Sequence, residues 1–345
     1  VNERREGGFV LVATLWFVAL LALVTVIVEG WIAGSLDHAA ALQRRVITEC
    51  ALIGASERVV YATVTGRITI RGLEYVPPGS VGKADAESTA SEASSANLAA
   101  ALDGRAYRIG PVEARLQDEA GLYDLNRPTR GPLERLLRHY GLNTRSADAL
   151  ADGLVEYAAE PRNLRTTAAR DADYSRVGLP PPRHLPLLTP WEPLRVLGWA
   201  GLTALWTDPV PFSELISIGP TGGLNPNTAP PAVIAALTDL DEKAAARLVA
   251  YRMNHPIMNE ADIAAVGGIT VSEALGLVFM PSNILRVKLT AASDPLVQVS
   301  TIRLTPLGPA PYRVDYAVRL PQDPAASATI RSTETPAFPI PAPGS

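Results

Sequence analysis

Four histidines (His38, His139, His184 and His255) and a single cysteine, Cys50, are the side chains of this 345-residue chain best suited to bind a metal or attack a substrate. Imidazoles hold zinc when they recur at short, regular spacings, and a thiol becomes a nucleophile when a base or a positive field activates it. Here the histidines are scattered with no ligand spacing. Cys50 has no second cysteine for an internal disulfide, and it lies on an apolar helical stripe, which reads as a packed thiol. No Gly-rich phosphate loop, nucleophile elbow or zinc pattern occurs. The net charge is −4, and lysine occurs only at Lys83, Lys243 and Lys288, so no field favours a polyanion. The residues do not read as an enzyme. A membrane-anchored enzyme would need a deep pocket of converging titratable groups.

One peptide bond has chemical meaning of its own. The polar leader VNERREGG ends at Gly8, and Phe9–Val28 is a run of twenty residues without a charge. About twenty apolar residues are what a helix needs to cross a bilayer. A cleavable secretory signal would have a shorter apolar region and a small-residue site after it, and Ala33-Gly34-Ser35 could serve. A plain signal anchor is the second reading. The third is a type IV pilin-like N-terminus, cut on the cytoplasmic side between Gly8 and Phe9, with Arg4 and Arg5 keeping the leader inside.

The stretch after Val28 favours the third reading. No proline occurs from Glu29 to Thr65, and Ile32, Leu36, Ala39, Leu42, Val46, Cys50, Ile53 and Val60 recur at the spacing of one helical face. The spacing predicts one helix of about 55 residues, roughly 80 Å long, apolar all round in its first half and amphipathic in its second.

Beyond it, residues 79–101 are small, polar and low in complexity, and read as a mobile loop. A strand is expected over 106–116, with its alternation broken at Gly110-Pro111. The next region is helical and holds an approximate duplication. GLYDLNRP (121–128) and GLNPNTAP (223–230) each precede a helix, a short turn and a second helix. Asn126 and Asn227 are expected to cap those helices, with Pro128 and Pro230 in the first turns. Each copy ends in a β-branched run, FSELISI (212–218) or NILRVKL (283–289). Strands are expected at 285–290, 297–305 and 312–320, with Val314, Tyr316, Val318 and Leu320 on one face. They suit a sheet packed on the exposed half of the long helix. The Pro-rich end, 321–345, reads as disordered.

DEAGLYDLNRP (118–128), ARDADYSRVGLPPP (169–182) and GGLNPNTAPPAVIAAL (222–237), with the leader and apolar helix, resemble the K-type minor pseudopilins of the type II secretion system. The resemblance covers about residues 1–320. It implies an α+β fold, a pilin-like long N-terminal helix packed on an antiparallel sheet. A large all-helical domain with two helix-hairpin-like units is inserted in it. The implied parts are a leader (1–8), the long helix (9–65, membrane-spanning over 9–28), a β region (66–121), the inserted domain (122–282), closing strands (283–320) and a tail (321–345).

The resemblance also implies a non-enzymatic role at the tip of a periplasmic pseudopilus, starting assembly with the I- and J-type minor pseudopilins so that folded proteins leave the periplasm. Prepilin peptidase would cut after Gly8 and methylate Phe9, and the inner-membrane secretion platform would be a further partner. The subunit would be single-pass, with its N-terminus cytoplasmic and the rest periplasmic. The fifth mature residue, a glutamate in most pilin-like subunits, is Ala13 here, as the K family's lack of that acid implies. Family members bind calcium in the inserted domain. Asp171 and Asp173, with Glu156 or Glu160, are oxygen ligands of the kind Ca²⁺ takes, although Ala158-Ala159-Glu160-Pro161 replaces the acidic stretch many members have.

The alternative is a membrane-anchored helix-hairpin-helix protein that grips DNA backbone. That needs Gly-rich turns and phosphate-binding cations. The first turn, Gly141-Leu142-Asn143, has one glycine, and the second, Asp239-Leu240-Asp241, is acidic. No nucleic-acid partner is expected.

Overall fold

Proline-free sequence and uninterrupted apolar residues give α1, Gly7–Thr65, which passes through Glu29 without a break. The computed structural model describes residues 7–75, 99–158, 171–238, 240–268, 276–321 and 335–340. It divides into two units, Val1–Ile53 and Gly54–Ser345. In the first, α1 is exposed on every side over its apolar stretch; Trp16 is 74% and Trp31 73% accessible. The helix is long and apolar enough to cross a membrane. Its hydroxyls are satisfied within the helix. Thr14, Thr25 and Ser35 donate to the carbonyls of Leu11, Leu21 and Trp31 at 2.8–2.9 Å, the back-bonding that keeps a helical hydroxyl paired without water.

In the second unit the buried line of α1 is Ala55, Val59, Ala62 and Thr63, not the line through Ile53 and Val60 that the large apolar residues mark. At about 100° per residue these positions fall on a different side of the helix from Cys50 and Ile53. Cys50 is accordingly exposed, not packed. Small alanines let the helix backbone approach its neighbours closely, and a pattern search for large residues overlooks them.

The strands are β1 (Arg67–Thr69), β2 (Gly72–Glu74), β3 (Ala99–Ala100), β4 (Asp103–Ile109), β5 (Val112–Asp118), β6 (Tyr123–Asp124), β7 (Ile216–Ser217), β8 (Ile284–Ala291), β9 (Leu296–Leu304) and β10 (Tyr312–Pro321). The main sheet is antiparallel, in the order β10-β9-β8-β5-β4. The single strand expected over 106–116 is in fact the β4–β5 hairpin, turned at Gly110 in the left-handed region (φ 59°). Ala99–Ala100, inside the segment read as a loop, pairs with β2, while 76–98 lies outside the described residues. In β10 a bulge between Val314 and Tyr316 breaks the expected alternation, leaving Val314 exposed and Tyr316 buried.

The chain leaves the sheet after β5 and returns at β8, the adjacent strand. Between them lie α2 (Arg130–Arg138), α3 (Thr144–Ala158), α4 (Asp171–Arg176), α5 (Thr203–Thr207), α6 (Phe212–Leu215), α7 (Pro231–Thr238), α8 (Glu242–Arg252) and α9 (Glu260–Gly267). FSELISI is therefore a helical turn followed by a two-residue strand, not a β run. Leucines on α2 and α3 close one core with Trp199 and Phe212, and α7 and α8 add Val233, Ile234 and Leu248. The indole of Trp199 donates to the Leu150 carbonyl at 3.1 Å, fixing the ring inside.

Part of the Pro-rich end is ordered rather than disordered. Arg108 N–H donates to Pro336 O and Phe338 N–H to Arg108 O, at 2.8 and 3.0 Å, so the segment lies along the free edge of β4. Phe338 and Ile340 are buried. The Phe338 ring meets Tyr107 edge-on, and the Arg58 guanidinium sits 5.9 Å above it while bonding the Ile340 carbonyl. Two alternate apolar residues anchor the strap alongside its backbone bonds to Arg108 and the Arg58 contact. Composition averaged over the tail masks them. Phe338→Ala should lower unfolding stability by about 3 kcal/mol, read by urea titration of the detergent-purified protein.

Candidate assembly site

The two motifs DEAGLYDLNRP and GGLNPNTAPPAVIAAL meet in space at the neck between sheet and helical domain. Asp118, at the end of β5, is fully buried. Its Oδ1 accepts from Ala120 N–H, Ser282 N–H and the Ser282 hydroxyl at 3.1, 2.9 and 2.7 Å. Its Oδ2 accepts from Asn225 Nδ2 and the Thr228 hydroxyl at 3.0 and 2.8 Å. One carboxylate thus gathers the exit from β5, the start of the second repeat and the approach to β8. Gly121 belongs to the same packing. A Cβ there would come within 2.7 Å of Thr228 backbone and hydroxyl, so no larger residue fits.

Beside it Arg286 on β8 pairs with Glu119 at 2.8 Å, both buried. Its other nitrogens donate to Ser213 O and Ile216 O at 2.6 Å each. Burial works against this guanidinium's charge, but the Glu119 carboxylate and the neighbouring Tyr316 and Glu214 more than offset it and hold its pKa above the ordinary arginine value. On the same face of β8, Lys288 reaches Glu214 at 2.7 Å.

The duplication has a matching bond pattern. Asn126 Nδ2 donates to Leu187 O and Ile218 O, and its Oδ1 accepts from Leu187 N–H. Asn227 Nδ2 donates to Ile257 O and Phe279 O, and its Oδ1 accepts from Ile257 N–H. In each copy the residue two before, Asp124 or Asn225, accepts from the asparagine's own N–H at 3.0 Å. The start of each copy also pairs in parallel with its end, Tyr123 with Ile216 and Leu224 with Leu277. Asn126 and Asn227 are thus clamps that close each hairpin unit. They are not helix caps, and the residue before α2, Thr129, makes no side-chain cap bond either. The sequence marked the right residues but not their role, because a capping asparagine and a clamping one look alike until the distant loop is known.

Gly8 and Phe9 lie in the first turns of α1, and Ala13 is half-exposed further along it. Asp171 and Asp173 lie on α4, the first exposed and the second paired with Arg176 at 3.0 Å. Glu156 is half-buried on α3, and Glu160 lies outside the described residues. Among the described residues no three acids or imidazoles converge on a point. Asp171 and Asp173 are hard oxygen donors of the kind calcium takes, and residues 159–170, Glu160 among them, lie outside the described residues. Within ARDADYSRVGLPPP, Tyr174 is buried, and its hydroxyl accepts from Leu197 N–H. At the second hairpin turn the Asp241 carboxylate accepts from Ala244 N–H at 2.6 Å, so the α8 N-terminus, which a DNA phosphate would seek, already holds an anion.

Residues 224–277 match the family model of Type II secretion system (T2SS), protein K. The T2SS protein K match begins at Leu224 and ends at Leu277, the two residues whose bridge closes the second repeat. A chain from the crystal structure of the GspK-GspI-GspJ complex from the enterotoxigenic Escherichia coli type 2 secretion system aligns with 84% of this chain and 99% of its own length. The TM-score is 0.48 and the identity 17%. No curated protein sequence matches the chain.

Asp118→Ala would strand five buried or half-buried donor groups and should cost about 3 kcal/mol or more. Asn126→Ala and Asn227→Ala should each cost about 2–3 kcal/mol, and by similar amounts because the bond patterns match. Urea unfolding of each variant measures both.

Proposed function

We propose that the chain is a K-type minor pseudopilin, a non-enzymatic subunit at the tip of the type II secretion pseudopilus. The match of 224–277 to T2SS protein K carries the reading. The long apolar N-terminal helix and the helical domain inserted in an antiparallel sheet support it.

In this reading Phe9–Val28 holds the subunit in the inner membrane, with its N-terminus cytoplasmic and the second unit periplasmic. Prepilin peptidase cuts after Gly8 and methylates Phe9, and the secretion platform draws the subunit out. The exposed line from Ile32 to Ile53 offers a seam for the helices of the I- and J-type subunits. An N-terminal amine left in hydrocarbon is costly. Ala13 cannot neutralise the amine of a subunit above, which suits a subunit with none above it. The helical insert is too bulky to repeat along a thin filament, so this subunit starts assembly and is not added beneath others.

Mass spectrometry of the native protein should find an N-methylated Phe9 as the first residue. A chain starting downstream of Ala33 would end the pseudopilin reading. Gly8→Leu should keep residues 1–8 on the purified protein and abolish tip assembly, with the mass difference read directly.

A further inference from the structure

A cleft of 140 Å³ opens between the β1–β2 turn, the start of β4 and the end of α8, and Arg71, Asp103, Arg105, Thr228 and Arg252 are among the residues lining it. Three guanidiniums line it, and two of them share one carboxylate. Asp103 is taken by Arg105 through two bonds, Nε to Oδ1 at 2.9 Å and Nη2 to Oδ2 at 2.7 Å. Arg252 reaches the same carboxylate only at 3.8 Å, although its side chain is just 5% accessible.

Arg252 has a structural task. Its Nη1 donates to Pro226 O and Ala229 O at 2.7 and 2.6 Å, bracing the loop before α7. That task uses one nitrogen. Its Nε is buried without a hydrogen-bond partner. Burial pulls this guanidinium down to about 10, with Asp103 working to raise it and Arg105 to lower it further. A buried cation with a shared, distant counter-ion is costly. An anion in the cleft would relieve that cost, and Arg71, exposed at the rim, would add a third positive group.

We infer that this cleft binds a small oxyanion, a phosphate or a carboxylate, between Arg105, Arg252 and Arg71. A planar guanidinium matches two oxygens of either group. The space suits a small ion and not a nucleotide. The inference does not depend on the secretion role.

The test is thermal unfolding of the full chain in detergent, titrated with inorganic phosphate or acetate while chloride keeps ionic strength constant. Phosphate should raise the unfolding temperature saturably, by about 2 °C or more at ligand excess. Arg105→Gln frees Asp103 to swing to Arg252 and should weaken the response about tenfold. Asp103→Asn removes the competing carboxylate and should strengthen it. If Arg105→Gln does not fold by circular dichroism, Asp103→Asn decides alone. A matching response to acetate would mean that an acidic side chain of a neighbouring subunit fits equally well, and a response to phosphate alone would mark a free-anion site. No effect of either anion beyond chloride, or the same response in wild type and Asp103→Asn, would overturn the inference.

Discussion

Asp118 stands where the sheet hands the chain to the helical domain, and a buried carboxylate there is tolerated only because each oxygen is fully bonded. Its five donors come from three stretches of the chain. The fold therefore depends on all three arriving together. Alongside, Arg286 on β8 pairs with Glu119 and reaches back to the carbonyls of Ser213, within the short α6 turn, and Ile216, just after it. Polar bonds in the neck fix direction, which apolar contacts alone would not. The leucine-rich core above supplies the bulk of the burial.

The two clamps extend this principle into the helical domain. Each hairpin unit is closed by one asparagine that ties a loop beyond the hairpin to the end of the repeat. The first helices of the two copies, α2 and α7, pack against each other. The result is a pair of similar closed units and not a string of helices.

Much of this was legible in the sequence, and the failures have physical causes. The apolar run of α1, the duplication and the closing strands come from periodicity and composition, which act locally. The β4–β5 turn was visible as a break at Gly110-Pro111, but alternation carries no sign that tells a hairpin from an irregular strand. The buried face of α1 was misplaced because alanine marks close approach without adding to an apolar count. Asn126 and Asn227 stood out by position, yet their partners lie 30 to 92 residues away, beyond any local rule. Asp118 was inside a motif and gave no hint of its burial. Arg252, on a helix read only as half of a hairpin, gave none either.

The insert leaves from one strand and re-enters on the neighbouring one, where Asp118 is paired with Leu285. Its two ends are therefore about 5 Å apart, the spacing of bonded strands. To the sheet, more than a hundred and sixty residues are equivalent to an enlarged tight turn. Growth or rearrangement within that excursion leaves the strand register untouched, so the scaffold and its cargo of helices are free to diverge at different rates.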